Sequence, residues 1–204
     1  MGVTVPARRL GVFGGAFDPP HNAHVALVRA AVEQLALDEL RVFPTGQAWH
    51  KPHRLSPPQH RLAMARLAFE GLPRVVVDDR EIQRAGPTYT FDTLQELQAA
   101  EPQAQLFLIM GADQAAALPN WHRFQEILQL AIISIAGRVH VAGTSGQFDP
   151  QNLAGARWQA LQLPALSVSA TEVRHRAAAA QGIAHLVPES VARYIEQHHL
   201  YQTA

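Results

Sequence analysis

Short apolar runs alternate with stretches of helical spacing along this chain, and that alternation constrains its fold more than any other feature. Residues 10–13, 40–44, 75–78, 105–110, 131–136 and 165–168 read as strands. Three consecutive valines make the 75–78 run strongly β-forming. The first helical pattern carries Val25, Leu27, Val28, Ala31, Val32 and Leu35, and the second covers 59–69 with Leu62, Ala65, Leu67 and Phe69 partly buried. A third opens at Thr88-Tyr89-Thr90, with Thr90 or Asp92 as cap and Leu94 and Leu97 at core spacing. Further helices are expected over 120–130, from Ser169 through the alanines at 177–180, and from about Pro188, where proline suits a first turn. Residues 45–58 and 137–157 lose periodicity and read as loops. The reading is therefore α/β: a parallel sheet with helices on both faces, and a small helical part at the C-terminal end.

Composition sets outer bounds. At 204 residues, one domain with a sizeable core is expected. The formal net charge is +0, so nothing suggests a nucleic-acid surface or an anionic membrane as partner. There is no cysteine, which removes disulfides, thiolate zinc sites and a cysteine nucleophile, and fits a cytoplasmic protein. The first nine residues are short and contain Pro6, unlike a secretory signal, and no apolar run approaches the ~18 residues of a membrane helix.

The densest chemistry lies where the first strand meets the first helix, in Gly14-Gly15-Ala16-Phe17-Asp18-Pro19-Pro20-His21-Asn22-Ala23-His24. A glycine turn lets backbone approach a phosphate closely, and a helix N-terminus offers unpaired N–H groups. Histidines three residues apart at that helix start fall side by side, and either can donate to phosphate oxygens, neutral or charged. A second candidate anion site is Val168-Ser169-Ala170-Thr171-Glu172-Val173-Arg174. Its hydroxyls can cap a helix or bond phosphate, and Arg174 lies one turn on, able to offer paired donors. The plainer alternative is an ordinary capped helix with a surface arginine.

The first stretch resembles the GxFDPxHxGH signature of the HxGH nucleotidyltransferase superfamily, with Ala23 where that signature has glycine; the second resembles its ISSTxxR motif, departing at Val168 and Ala170. Tyr89-Thr90-Phe91-Asp92-Thr93-Leu94, Gly111-Ala112-Asp113, Leu118-Pro119-Asn120-Trp121-His122, Leu186-Val187-Pro188 and His50-Lys51-Pro52 extend the likeness. Together they are similar to the bacterial nicotinate-nucleotide adenylyltransferase family over about residues 9–201. That resemblance implies a Rossmann-like doubly wound parallel sheet in a single nucleotidyltransferase domain, 1–204. It implies transfer of the adenylyl group of ATP to nicotinate mononucleotide, giving nicotinate adenine dinucleotide and pyrophosphate on the way to NAD. His21, His24 and Arg174 would be catalytic, and Gly14, Gly15, Phe17, Gly111, Asp113, Ser169 and Thr171 would bind ATP. Thr88, Tyr89 and Thr90 would surround the nicotinate carboxylate, and Trp121 would stack on the pyridine ring. Lys51 is placed with the nicotinate nucleotide, where it either binds phosphate or is a solvated lysine between prolines. His122 ranks lower, and His53, His60, His185, His198 and His199 carry no motif. Without a carboxylate cluster to suggest a metal cage, Mg²⁺ is expected to arrive on the triphosphate. The partners are then the two nucleotides, with no nucleic acid and no membrane, and oligomeric state stays open. Competing readings are another transferase of the superfamily, use of the amide nucleotide, or a non-catalytic nucleotide sensor; Ala23 alone favours the last.

Overall fold

A computed structural model describes residues 6–47, 55–137, 153, 155–164 and 167–202. Its strands are β1 (Arg9–Gly15), β2 (Glu39–Pro44), β3 (Val75–Val77), β4 (Gln105–Gly111), β5 (Ala131–Ala136) and β6 (Trp158–Leu161). They form one six-stranded parallel sheet in the order β3-β2-β1-β4-β5-β6. Arg9 pairs with Gln105, Leu106 with Ala131, and Ile133 with Trp158. The order reverses at β1 and β4, and the carboxyl ends of strands beside such a reversal are where open α/β sheets place ligands. Here β1 ends in Gly14-Gly15 and β4 in Gly111.

The helices are α1 (Asn22–Gln34), α2 (Pro58–Phe69), α3 (Arg80–Gln83), α4 (Thr90–Ala100), α5 (Ala112–Ala117), α6 (Phe124–Leu130), α7 (Ala170–Ala178) and α8 (Glu189–Gln197). By contacts the chain packs as two compact units. One holds Met1–Phe13, Ala30–Arg41 and Tyr89–Gln162. Its core is Leu10, Val12, Leu106, Leu108, Ile133 and Ile135 from the strands, with Leu94, Leu97 and Ile127 from α4 and α6, all buried. The other holds Gly14–Arg29, Val42–Thr88 and Leu163–Ala204. It buries Val42 and Phe43 of β2, Met64 and Phe69 of α2, and Val191 and Ile195 of α8. Each such side chain taken from water contributes roughly 1.5–3 kcal/mol, which is what fixes the inward faces of these helices.

Sequence and structure differ at four places. The last strand is not 165–168. Residues 165 and 166 lie outside the described residues, 167–169 form no regular element, and the strand is Trp158–Leu161, paired with β5. It is an edge strand with partly exposed positions, so it lacks a continuous apolar run. The helix expected over 120–130 begins only at Phe124: a 3₁₀ turn at Leu118–Asn120 comes first, then Arg123 in the left-handed region (φ 57°) breaks the path. Neither Thr90 nor Asp92 caps α4, because the extended residue before it is Tyr89 and both fall inside the first turn. Finally, α3 and α5, four and six residues long, are too short to show a helical period. Of the two expected loops, 48–54, and with it Lys51, lies outside the described residues, as do 138–152 and 154.

Candidate active site

β1 delivers the chain to Gly14, which is exposed; a methyl group added there would meet nothing within 4 Å. Gly15 is anchored by its carbonyl, which accepts the Thr45 N–H at 2.9 Å. The chain then turns through 16–20 into α1 with His21 at the cap position and His24 at the third helical residue. His24 Nδ1 accepts the His21 backbone N–H at 3.1 Å. This reproduces half of a capping box, with imidazole where glutamate or glutamine usually reaches back. The two rings stack with centroids 3.7 Å apart at 22°. Phe17, held at φ 49° and 2% exposed, sets its ring edge-on to His24 (5.2 Å) and to Phe69 (5.7 Å). Its side chain therefore braces His24 from the core.

Burial decides the protonation of this pair. It pushes the His21 imidazole down to about 4 and His24 well below its ordinary value, with the His21 neighbour adding to the latter. Both rings are neutral at physiological pH. A neutral His24 that accepts at Nδ1 carries its proton on Nε2, so it is a fixed hydrogen-bond donor there. His21 is 8% exposed, and its Nδ1 is buried with no hydrogen-bond partner among the described residues. An orphaned buried ring nitrogen is costly, and it points to a group this site is built to receive.

The helix N-terminus itself is less open than the sequence suggests. The Asn22 N–H donates to Leu186 O (2.9 Å), and the Asn22 side chain donates to His185 O (3.1 Å). Anion recognition here thus falls more to side chains than to bare helix N–H groups. Arg174, on α7, reaches the same turn: its guanidinium donates to Asp18 O (2.9 Å) and to Thr171 Oγ1 (3.2 Å). Those two bonds leave guanidinium donors available to an anion. Ser169 caps α7, accepting the Glu172 N–H at 3.1 Å, so the capping alternative holds for that hydroxyl. The fold brings His21, His24, Phe17, Arg174, Thr171 and Ser169 into one unit although 143 residues lie between the two motifs.

Thr88 lies in this unit too, buried, its Oγ1 without a hydrogen-bond partner among the described residues. Gly46 makes room for it: a Cβ on Gly46 would sit 2.1 Å from Glu81 O and 3.0 Å from Thr88 Oγ1. Three residues that sequence reasoning left unassigned also belong here. Arg61 is 1% exposed and donates to the carbonyls of Ala16 (2.9 Å), Gly46 (3.1 Å) and Ser56 (3.0 Å). Asp18, buried, receives the Ser56 N–H (3.0 Å) and the Tyr201 hydroxyl (2.7 Å). Arg61 shares the buried face of α2 with Met64, Ala65, Ala68 and Phe69, but a charged side chain does not advertise burial, and only Asp18 lay within a motif.

The other unit holds the remaining candidates. Tyr89 precedes α4 in an extended conformation, and its ring lies against His122 at 4.4 Å, which gives His122 a place beside a predicted site residue. Thr90 is half-buried in the first turn of α4. Trp121 is partly exposed and ends the 3₁₀ turn, its N–H donating to Leu118 O at 3.0 Å. Gly111 closes β4 with open space where a Cβ would stand, and Asp113 is exposed in the first turn of α5.

Residues 12–176 match the cytidylyltransferase-like family, which makes the chain a nucleotidyltransferase, and the sheet order with glycines and paired histidines after its first strand agrees with that class. The chain is 60% identical over 197 residues to a probable nicotinate-nucleotide adenylyltransferase of Albidiferax ferrireducens, covering 97% of this chain and 100% of that one. It is 43% identical to one of Methylibium petroleiphilum, covering 96% and 93%. The fold matches the Plasmodium falciparum nicotinic acid mononucleotide adenylyltransferase complexed with NaAD, with a TM-score of 0.81, 19% identity and coverage of 95% and 97%. The chain belongs to the nicotinate-nucleotide adenylyltransferase family.

Proposed function

We infer that the chain transfers the adenylyl group of ATP to nicotinate mononucleotide, producing nicotinate adenine dinucleotide and pyrophosphate. One observation carries the catalytic assignment: a stacked, neutral histidine pair with an orphaned buried nitrogen, in the turn where the Arg174 guanidinium docks. The 5′-phosphate oxygen of nicotinate mononucleotide attacks the α-phosphorus in line; the bond from that phosphorus to the bridging oxygen breaks and pyrophosphate leaves. A phosphate monoester is already anionic, so no side chain has to remove a proton. Catalysis comes from holding two anions together and stabilising charge on the leaving oxygens. His21 and His24 donate to the α- and β-phosphates as neutral groups, and Arg174 with the Ser169 and Thr171 helix start holds the β- and γ-phosphates. Gly14 and Gly15 admit the phosphates; Phe17 contributes by bracing His24. Gly111 and Asp113 line the adenosine side.

On the acceptor side, Thr88, Tyr89 and Thr90 surround the nicotinate carboxylate and Trp121 stacks on the pyridine ring. Support comes from the Thr88 hydroxyl, which has no hydrogen-bond partner among the described residues, and the partly exposed tryptophan. Lys51, which lies outside the described residues, is assigned to the nicotinate nucleotide's phosphate.

Nucleotidyl transfer generally involves a divalent cation. We assign Mg²⁺ to the triphosphate, where it would neutralise developing charge. No group of three His, Cys, Asp or Glu side chains suits a metal among the described residues, and both Asp18 oxygens are engaged by Ser56 and Tyr201. We also read the chain as one nucleotidyltransferase domain with its core at about 9–201, supported by the family match over 12–176, and as cytoplasmic, supported by the absence of cysteine. No helix among the described residues is long and apolar enough to cross a membrane.

His24→Ala tests the catalytic assignment. Losing a preorganised donor to the transition state should lower kcat by about 10²–10³. Titration calorimetry should find nicotinate mononucleotide binding little changed. Turnover at the parental rate would remove His24 from the mechanism.

A further inference from the structure

Asp18 sits at a junction that the reaction chemistry does not explain. It is 3% exposed, and one hydrogen bond ties it to a substrate-facing side chain: its backbone carbonyl receives Arg174 Nη1 at 2.9 Å. Its carboxylate is committed elsewhere, Oδ2 to the Ser56 N–H at 3.0 Å and Oδ1 to the Tyr201 hydroxyl at 2.7 Å. Tyr201 comes from the far end of the chain, 183 residues away, beyond the end of α8. Its ring is partly buried, the hydroxyl also lies 3.9 Å from Met64 Sδ, and its backbone is in the left-handed region at φ 68°. A non-glycine residue adopts that conformation when its surroundings over-determine it, and such positions cluster at functional sites.

We propose that Tyr201 is a positioning residue for adenylyl transfer, setting through Asp18 the placement of Arg174 and of the turn that leads into His21. This deepens, and rests on, the reading that Arg174 and the histidines hold the triphosphate. The carboxylate of Asp18 has two conformational anchors, one a backbone N–H and one the Tyr201 hydroxyl. Removing the second frees the side chain to rotate about the first, and the peptide whose carbonyl receives Arg174 moves with it. Only Pro19 and Pro20 separate Asp18 from His21, so the same shift reaches the imidazoles. Displacement of about 1 Å in a positioning element can lower a rate about a hundredfold. The hydroxyl is suited to a constant role: burial, and after it the Asp18 charge, holds the phenol protonated, so it donates at every pH at which the protein works.

The test is a cycle built from Tyr201→Phe and Arg174→Ala, with kcat, KM for each substrate and Tm measured for all four proteins. Phenylalanine keeps the ring against Met64 and removes only the donor. The proposal predicts that Y201F lowers kcat about tenfold or more while KM for nicotinate mononucleotide stays within about twofold. On the R174A background, adding Y201F should lower kcat by a smaller factor than it does in the parent, because the Arg174 share of what Asp18 positions is already gone while the turn into His21 remains. A kcat per folded molecule within about twofold of the parent would overturn it, even if Tm falls, and so would effects that multiply across the cycle. An unmodified enzyme that transfers no adenylyl group would instead count against the proposed reaction. The cycle is then read as affinity for a non-hydrolysable α,β-methylene analogue of ATP. Weakening by Y201F that shrinks on R174A supports the positioning role, and equal weakening on both backgrounds overturns it.

Discussion

Replacing Arg61 with methionine should cost this protein a large part of its stability. The guanidinium is 1% exposed and donates to three carbonyls, of Ala16, Gly46 and Ser56, at 2.9–3.1 Å. Methionine fills the aliphatic volume and provides no donor, so three carbonyls lose their partner together. Hydrogen bonds to a charged group contribute about 1.5–3 kcal/mol each, and the losses are not additive. Two effects oppose each other beyond that. Burial pushes the Arg61 pKa down, so removing the guanidinium relieves a desolvation cost. The nearby Asp18 charge pushes it back up, so the same change leaves a buried carboxylate without its compensating cation. Breaking a buried charged group away from its partners usually costs about 3–5 kcal/mol, and that is the net loss expected here. For a chain of this length 1 kcal/mol moves Tm by roughly 2–4 °C, giving a fall of about 6–20 °C. Differential scanning calorimetry, with urea midpoints as a second measure, reads it directly. A fall of less than about 3 °C would mean that the three bonds do not hold these loops.

Two further outcomes follow from the same geometry. Gly46→Ala forces a methyl group to 2.1 Å from the Glu81 carbonyl, a backbone atom that cannot swing aside; destabilisation of about 2 kcal/mol or more is expected in thermal melts, with weaker binding of nicotinate mononucleotide. Acid should also weaken the fold through His21. Its folded pKa of about 4 lies below the ordinary 6.5, so the unfolded chain binds the extra proton first. Stability is therefore complete above pH 6.5 and falls as pH drops toward 4, by up to about 3 kcal/mol from this group. Urea midpoints measured across that interval should slope less in His21→Asn than in the parent, and parallel curves would contradict the buried neutral imidazole.

What the sequence revealed divides along physical lines. The β1–glycine–α1 unit and the paired imidazoles were legible because turn chemistry and helical spacing are local: histidines three residues apart at a helix start have few places to go. The buried strands β4 and β5 were legible as apolar runs, the only polar side chain within them being Ser134 of β5 after the leading Gln105 of β4. Edge strand β6 was not, since half of it faces away from the core, and a partly exposed strand carries a diluted pattern. Arg61 falls on the buried face of α2 with Met64, Ala65, Ala68 and Phe69, but its charge argues for an exposed position; the carbonyls of Ala16, Gly46 and Ser56 are what let it stay interior. Tyr201 met Asp18 across 183 residues, a contact that no local rule reaches. Substrate choice came from resemblance, through the stretches around Tyr89 and Trp121, and not from periodicity or charge.

The most direct measurement of the central claim is pyrophosphate release from ATP and Mg²⁺, with nicotinate mononucleotide and its amide compared at equal concentration. The proposed assignment of Thr88, Tyr89 and Thr90 to the nicotinate carboxylate, motivated by the buried Thr88 Oγ1 that has no hydrogen-bond partner among the described residues, predicts rapid release with the acid and much slower release with the amide. Equal rates would contradict the assignment of Thr88, Tyr89 and Thr90 to a carboxylate, and no release with either would contradict the reaction itself.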